Sequence, residues 1–152
     1  MTESIPKAHG QCRCGQVQFE ITVDPLITMA CHCAGCQKMS SSAFSLSALY
    51  PSAAFNIIAG EPVIGGMHGP TRHFFCPHCM TWMFTRPEGL DDFVNVRTTM
   101  LDDPPAAPPF IEANTNEKLP WATTSAVYSY GTVPAMDEFP DLLAKFAEQV
   151  SS

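Results

Sequence analysis

Residues 16–23 read Gln-Val-Gln-Phe-Glu-Ile-Thr-Val, with apolar and polar residues in strict alternation. Val17, Phe19, Ile21 and Val23 fall on one side, the pattern of a half-buried β-strand. Asp24-Pro25 ends it. Working outward, a second short strand is expected through Thr28 and Met29 into Cys31, followed by one helical turn over 34–39. Alternation resumes over 44–50, with Phe44, Leu46, Ala48 and Tyr50 on one side. Further short β segments are expected at 54–59, 62–67, 72–76, 82–86 and 92–98. Gly60, Gly65-Gly66 and Gly69-Pro70 separate several of them. Many short strands between turns indicate an all-β fold, a sandwich or partly open barrel of short antiparallel strands.

The stretch 102–109, Asp-Asp-Pro-Pro-Ala-Ala-Pro-Pro, suits neither a helix nor a central strand. It reads as a connecting loop and not a domain boundary, because too little chain follows it to build a second core. One helix is expected at the end, over 137–150, with Leu142, Leu143, Phe146 and Val150 on one face. Pro140 suits its first turn, and Asp137 or Asp141 could cap it. The expected organisation is a single domain over 1–152, with its core at about 9–135.

Composition narrows the function classes. The net charge is −7, and the eight Lys and Arg residues are scattered, with no run or stripe. That argues against nucleic acid, whose phosphates are met by clustered cations. No apolar run approaches the ~18 residues of a membrane span. The stretch from Met1 to His9 has no apolar core and no cleavage-like site, so a cytoplasmic, reducing location is expected.

The chemistry lies in the seven cysteines. Cys12-Arg13-Cys14 is a C-x-C, Cys31-His32-Cys33-Ala34-Gly35-Cys36 a C-x-C-x-x-C, and Cys76-Pro77-His78-Cys79 a C-x-x-C. An odd count in tight clusters favours metal–thiolate sites over disulfides. Cysteines two or three residues apart can reach one ion from a tight turn, and two such pairs close a tetrahedron. Two Zn²⁺ ions account most simply for the seven: Cys12, Cys14, Cys76 and Cys79 in a closed structural site, and Cys31, Cys33 and Cys36 in a site with an open position. Spacing alone also allows the C-x-x-C to pair with the middle cluster, or a single zinc with three spare cysteines. In an extended C-H-C the middle side chain points away from its neighbours, so His32 is expected behind the site or exposed. His78 is likewise not expected to be a ligand. Trp82 and Trp121 read as core or pocket-wall aromatics.

The order of these clusters resembles the glutathione-dependent formaldehyde-activating enzyme family. The likeness rests on residues 10–17, Gly-Gln-Cys-Arg-Cys-Gly-Gln-Val; on 31–38, Cys-His-Cys-Ala-Gly-Cys-Gln-Lys; on 72–79, Arg-His-Phe-Phe-Cys-Pro-His-Cys; and on 116–121, Asn-Glu-Lys-Leu-Pro-Trp. The resemblance implies an Mss4-like all-β fold and the same division of the cysteines. It also implies a carbon–sulfur lyase activity in which glutathione adds to formaldehyde at the Cys31, Cys33 and Cys36 zinc, the open and more labile of the two. The sequence departs from the family twice. Met80-Thr81 stands where the family has Gly-Thr, and Ser41 where it often has a glycine. A glycine at either place would permit φ > 0, which Met and Ser adopt less readily.

Glutathione carries two carboxylates and an amine, so its pocket needs donors near the open site. Lys38, Ser40, Ser41 and Ser42 are nearest in sequence, and Lys118 and Trp121 could approach from the later segment. The alternative is a non-catalytic zinc-binding interaction module or a thiol receptor, since one fold can serve either purpose.

Overall fold

A computed structural model describes residues 5–151. The start of the 1–9 stretch, read above for export signals, lies outside the described residues, as does Ser152. The chain forms two compact units. The first takes the described residues up to Pro25 together with Leu49–Pro104, and the second takes Leu26–Ala48 and the described residues from Pro105 onward. The proline stretch 102–109 has almost no regular structure, and the chain passes from one unit to the other within it. Among the described residues there are eleven strands in open sheets, with no closed barrel. No described helix is long and apolar enough to cross a membrane.

In the first unit, β1 (Ala8–Gln11), β2 (Gln18–Ile21) and β5 (Phe55–Ala59) form a three-stranded antiparallel sheet in the order β1-β2-β5. Val17, Phe19 and Ile21 are buried as their alternation requires. Val23 lies beyond the strand end and is exposed, so the apolar face is shorter than the pattern suggested. Phe19 meets Phe55 at 5.2 Å between ring centroids, and Phe55 meets Phe84 at 4.9 Å. Gly10 lets β1 lie against this cluster, for a Cβ there would stand 2.2 Å from the Phe19 ring and 2.8 Å from the Met100 carbonyl.

The same unit holds β6 (Val63–Gly65), β7 (Arg72–Phe75), β8 (Trp82–Arg86) and β9 (Phe93–Val96), hydrogen-bonded in the order β9-β8-β7-β6. The three pairings are antiparallel. Four successive residues of β8, Trp82 to Thr85, are buried, so both of its faces are covered.

The second unit is built on β3 (Ile27–Cys31), β10 (Ile111–Ala113) and β11 (Tyr128–Ser129). Here the expectation of antiparallel strands fails: β10 runs parallel to both β3 and β11. The long stretch between β3 and β10 returns the chain in the same direction, as a parallel pair requires. The sequence pattern also missed β1, β10 and β11, which at two to four residues are too short to show a period.

Helix α1 (Ala34–Ser40) follows β3, and β4 (Ser45–Pro51) carries the chain into the first unit. The predicted face of β4 is corrected. Ala48 and Tyr50 are buried, but in the first half Ser45 and Ser47 point inward while Phe44 and Leu46 are half-buried. The reason is chemical: the Ser45 hydroxyl hydrogen-bonds the Cys36 thiol.

Helix α2 (Phe139–Ser151) follows one 3-10 turn, Met136–Glu138, so it starts two residues later than expected. Leu142 and Phe146 are buried, with Phe146 edge-on to Phe110 at 5.4 Å. Leu143 is half-buried and Val150 is exposed, so the apolar face ends a turn before the helix does.

One polar chain ties the parallel strands together. His32 is fully buried, and its Nε2–H donates to Glu112 Oε1 at 2.7 Å. The Ser129 hydroxyl donates to Glu112 Oε2 at 2.5 Å. Burial pushes the Glu112 carboxyl up, but hydrogen bonds from Ser129, His32 and Thr124 outweigh it and hold the group below its ordinary 4.5. A carboxyl lowered on folding stabilises the protein above its unfolded pKa, and loses that contribution as pH falls through the folded value. Glu112→Gln should therefore lower stability by about 1 kcal/mol at pH 7. In urea denaturation the gap from wild type should shrink as the pH is taken below 4.5. A gap that stays constant with pH would show that the carboxylate charge is not what matters.

Candidate metal centres

The seven cysteine thiols form two groups, and within each the sulfurs lie within 4.8 Å of one another. All seven are free thiols. Cys12, Cys14, Cys76 and Cys79 meet in the first unit, and Cys31, Cys33 and Cys36 in the second.

The group of four comes from two matching turns. Between β1 and β2, Cys12 N–H donates to Val17 O at 3.1 Å, and Val17 N–H donates to the Cys12 sulfur at 3.4 Å. Between β7 and β8, Cys76 N–H donates to Thr81 O at 3.1 Å, and the N–H groups of His78 and Cys79 each reach the Cys76 sulfur at 3.4 Å. Backbone donors aimed at sulfur stabilise the thiolate, the form that binds metal. The Sγ–Sγ separations of Cys12 to Cys14, 3.6 Å, and Cys14 to Cys76, 3.7 Å, suit a metal. A tetrahedron with about 2.3 Å from zinc to sulfur has edges of roughly 3.8 Å, whereas a disulfide would bring its sulfurs to about 2.05 Å. Thr81 donates its hydroxyl to Cys79 at 3.1 Å. Burial opposes ionisation of Cys79, but Thr81 and neighbouring N–H groups outweigh it and hold its thiol down to about 5.

The group of three is built on one short stretch. Cys31 ends β3, Cys33 is the N-cap of α1, and Cys36 lies in the first turn of α1. Cys36 N–H donates to the Cys33 sulfur at 3.3 Å, the bond that starts the helix. The Asn114 side-chain amide donates to the Cys31 sulfur at 3.2 Å. The thiols share their ionisation unequally. Hydrogen bonding from Cys36, against the effect of burial and with help from the Cys33 backbone and Asn114, holds Cys31 down to about 5. Cys36 is pushed up by the Cys31 thiolate beside it and by burial, and burial also pushes Cys33 up. Three thiolates crowded this closely repel one another, and a divalent cation is what lets all three ionise. Both groups can therefore hold a metal ion, and their donors suit zinc.

Around the group of three, residues 112–117 pack closely. Glu117 accepts from the Ala34 N–H at 3.2 Å, one of the free donors at the start of α1. Gln37 donates to the carbonyls of His32 at 2.7 Å and Glu117 at 3.0 Å. Sequence reading missed Glu112 and Asn114, which lie about 80 residues from the His32 and Cys31 they contact and belong to no motif. His32 does point away from the thiols, as the extended C-H-C requires, and it is buried. His78 is exposed and outside the group of four.

The residues expected to contact substrate divide. Lys38, Ser41, Ser42 and Trp121 line one open cleft of about 540 Å³, with Gln37 and Leu119. Ser40 does not line it, because its hydroxyl turns back to the carbonyls of Cys36 at 2.7 Å and Phe44 at 3.4 Å. Lys118 is exposed and is not part of the lining. None of the cysteines lines the cleft. At 100° per residue, Lys38 leaves α1 about 200° around the axis from Cys36, so the two side chains face different ways.

Both departures from the family's glycines sit in left-handed backbone. Met80 has φ 58° after the second turn, and Ser41 has φ 52° at the C-cap of α1. Each closes its turn through its own N–H, Met80 to Cys76 O at 2.9 Å and Ser41 to Gln37 O. The conformation that favours glycine is thus kept with a side chain present, which costs about 1 kcal/mol at each position.

The model of the family described as "Glutathione-dependent formaldehyde-activating enzyme" matches residues 7–117. A protein of Emericella nidulans named "Putative glutathione-dependent formaldehyde-activating enzyme" is 29% identical over 98 residues, 59% of this chain and 49% of that protein. The chain thus spans about half the length of that relative. The crystal structure of a Rhodobacter sphaeroides protein is similar in fold, with a TM-score of 0.54 and 18% identity, over 64% of this chain and 91% of that one.

Met80→Gly should raise the stability of the metal-loaded protein by roughly 0.5–1 kcal/mol, the left-handed strain less the added freedom of the unfolded chain. Met80 is 57% exposed, so little packing is lost. The check is a higher urea midpoint with an unchanged m-value. A lower midpoint would show that the Met80 side chain has a packing role.

Proposed function

The chain belongs to the glutathione-dependent formaldehyde-activating enzyme family, and from this premise we propose that it joins glutathione to formaldehyde, or to a small electrophile of the same kind. In enzyme terms it is a zinc-dependent carbon–sulfur lyase working at Cys31, Cys33 and Cys36. The observation that carries the reading is the contrast between the two thiol groups, four in one and three in the other. Four thiolates close a tetrahedron and suit a structural zinc at Cys12, Cys14, Cys76 and Cys79. Three leave one corner for an incoming ligand. A zinc at the three-cysteine group supplies a position at which a substrate thiol is bound as its thiolate.

The chain's own residues hold and orient. The end of β3 and the first turn of α1 fix the three sulfurs, and Glu117 and Gln37 hold that helix end in place. The reaction needs no oxidant or reductant. The glutathione sulfur forms a bond to the formaldehyde carbon, the carbonyl π pair moves to oxygen, and the thiol proton ends on that oxygen. Positioning the two reactants supplies much of the acceleration. Lys38, Ser41 and Ser42 offer donors for the carboxylate-bearing ends of the tripeptide, with Trp121 as a flat wall. Seven free thiols suit a reducing compartment such as the cytoplasm.

The absence of cysteines from the cleft lining supports a second reading, a glutathione receptor that binds without accelerating addition. One assay separates the two. With the purified protein at pH 7, glutathione-dependent loss of formaldehyde should run at least ~10-fold faster than in buffer, and Cys36→Ser should abolish the acceleration. A rate equal to the buffer blank would remove the enzymatic reading. Protection against thermal unfolding by glutathione alone would then leave the receptor.

A further inference from the structure

We propose that Asn114 is a positioning residue of the three-cysteine site, its side-chain amide donating to the Cys31 sulfur and fixing that thiolate as a metal ligand. The inference rests on the reading of Cys31, Cys33 and Cys36 as a metal site.

The backbone places Asn114 with little freedom. β10 pairs with β3 in parallel register, Ala113 opposite Cys31, and His32 N–H donates to Ala113 O at 3.0 Å. Asn114 is the next residue, so it leaves the sheet beside the cysteine that ends β3. Its own N–H donates to Thr132 O at 2.6 Å, and its backbone sits in the left-handed region at φ 58°, ψ 39°. Asparagine is among the few residues with a side chain that visit this region readily. From there Nδ2 reaches the Cys31 sulfur at 3.2 Å. A thiolate can only accept, so the amide must present its N–H and not its oxygen.

The contact belongs to a set. Glu112 receives His32, Asn114 reaches Cys31, and Glu117 receives the Ala34 N–H. One stretch of six residues thus holds positions 31, 32 and 34 of the cysteine segment. Among these contacts Asn114 makes the one that touches a ligand sulfur. Hydrogen bonds to a metal's ligands orient them and tune their basicity, and losing one typically weakens binding 10- to 100-fold.

Two substitutions separate the amide from the backbone. Asn114→Gly and Asn114→Asp can both keep a positive φ, and both remove the N–H donor. Asp also sets a carboxylate against the thiolate. The full chain would be loaded with Co²⁺, whose sulfur-to-metal absorption bands report each thiolate site, and titrated against a competing chelator. Wild type should take up two equivalents. Asn114→Gly should bind cobalt at the three-cysteine site about tenfold more weakly, with a shifted absorption band, and Asn114→Asp more weakly still. Affinity at the four-cysteine site should be unchanged, which also reports that the variants fold. Wild-type affinity and band position in both variants would overturn the proposal and leave Asn114 a backbone role only. If wild type itself takes up a single equivalent, the reading of the three-cysteine site fails and takes this proposal with it, a result distinct from the first.

Discussion

Crowded thiolates repel, and the structure depends on what offsets that repulsion. Seven sulfurs stand in two groups, each with its members within 4.8 Å. Without a cation, crowding opposes ionisation of all three thiols of the smaller group together: Cys31 is held down and Cys36 pushed up beside it. With a divalent cation the repulsion becomes a shared attraction, and groups far apart in sequence are drawn together. In the first unit such an ion would join the turn after β1 to the turn after β7. In the second it would fix the junction of β3 and α1.

Much of this was legible in the sequence because it rests on short spacings. Cysteines two or three apart share a turn by chain geometry alone, but spacing leaves open which cluster the C-x-x-C joins, and only the fold brings Cys76 and Cys79 to Cys12 and Cys14. The β character was legible wherever one face is buried, as over Val17, Phe19 and Ile21. It was misread where chemistry overrides hydrophobicity. Ser45 and Ser47 are buried in β4, Ser45 because its hydroxyl faces Cys36, and an apolar pattern cannot register that. The glycine argument at Met80 and Ser41 carried over to the structure, because a turn closed by its own N–H fixes φ whatever residue occupies it.

What the sequence hid lies at long range. Glu112 and Asn114 belong to no motif and lie in and just after a three-residue strand without a visible period, yet they reach His32 and Cys31 across about 80 residues. Their placement follows from a parallel register, which forms only once the fold does. The expected substrate contacts divided for a related reason. Neighbours in sequence on a short helix do not share a face, so Lys38 lines the cleft while Ser40 turns back to the Cys36 carbonyl.

The central claim is that the cysteines make two metal sites of different kinds, one closed and one open. Elemental analysis of the purified wild type and of Cys36→Ser and Cys76→Ser tests it most directly. The account predicts two zinc ions per wild-type chain, one in Cys36→Ser with the fold kept, and loss of both zinc and stability at the four-cysteine site in Cys76→Ser. A single zinc in the wild type, unchanged by Cys36→Ser, would contradict it.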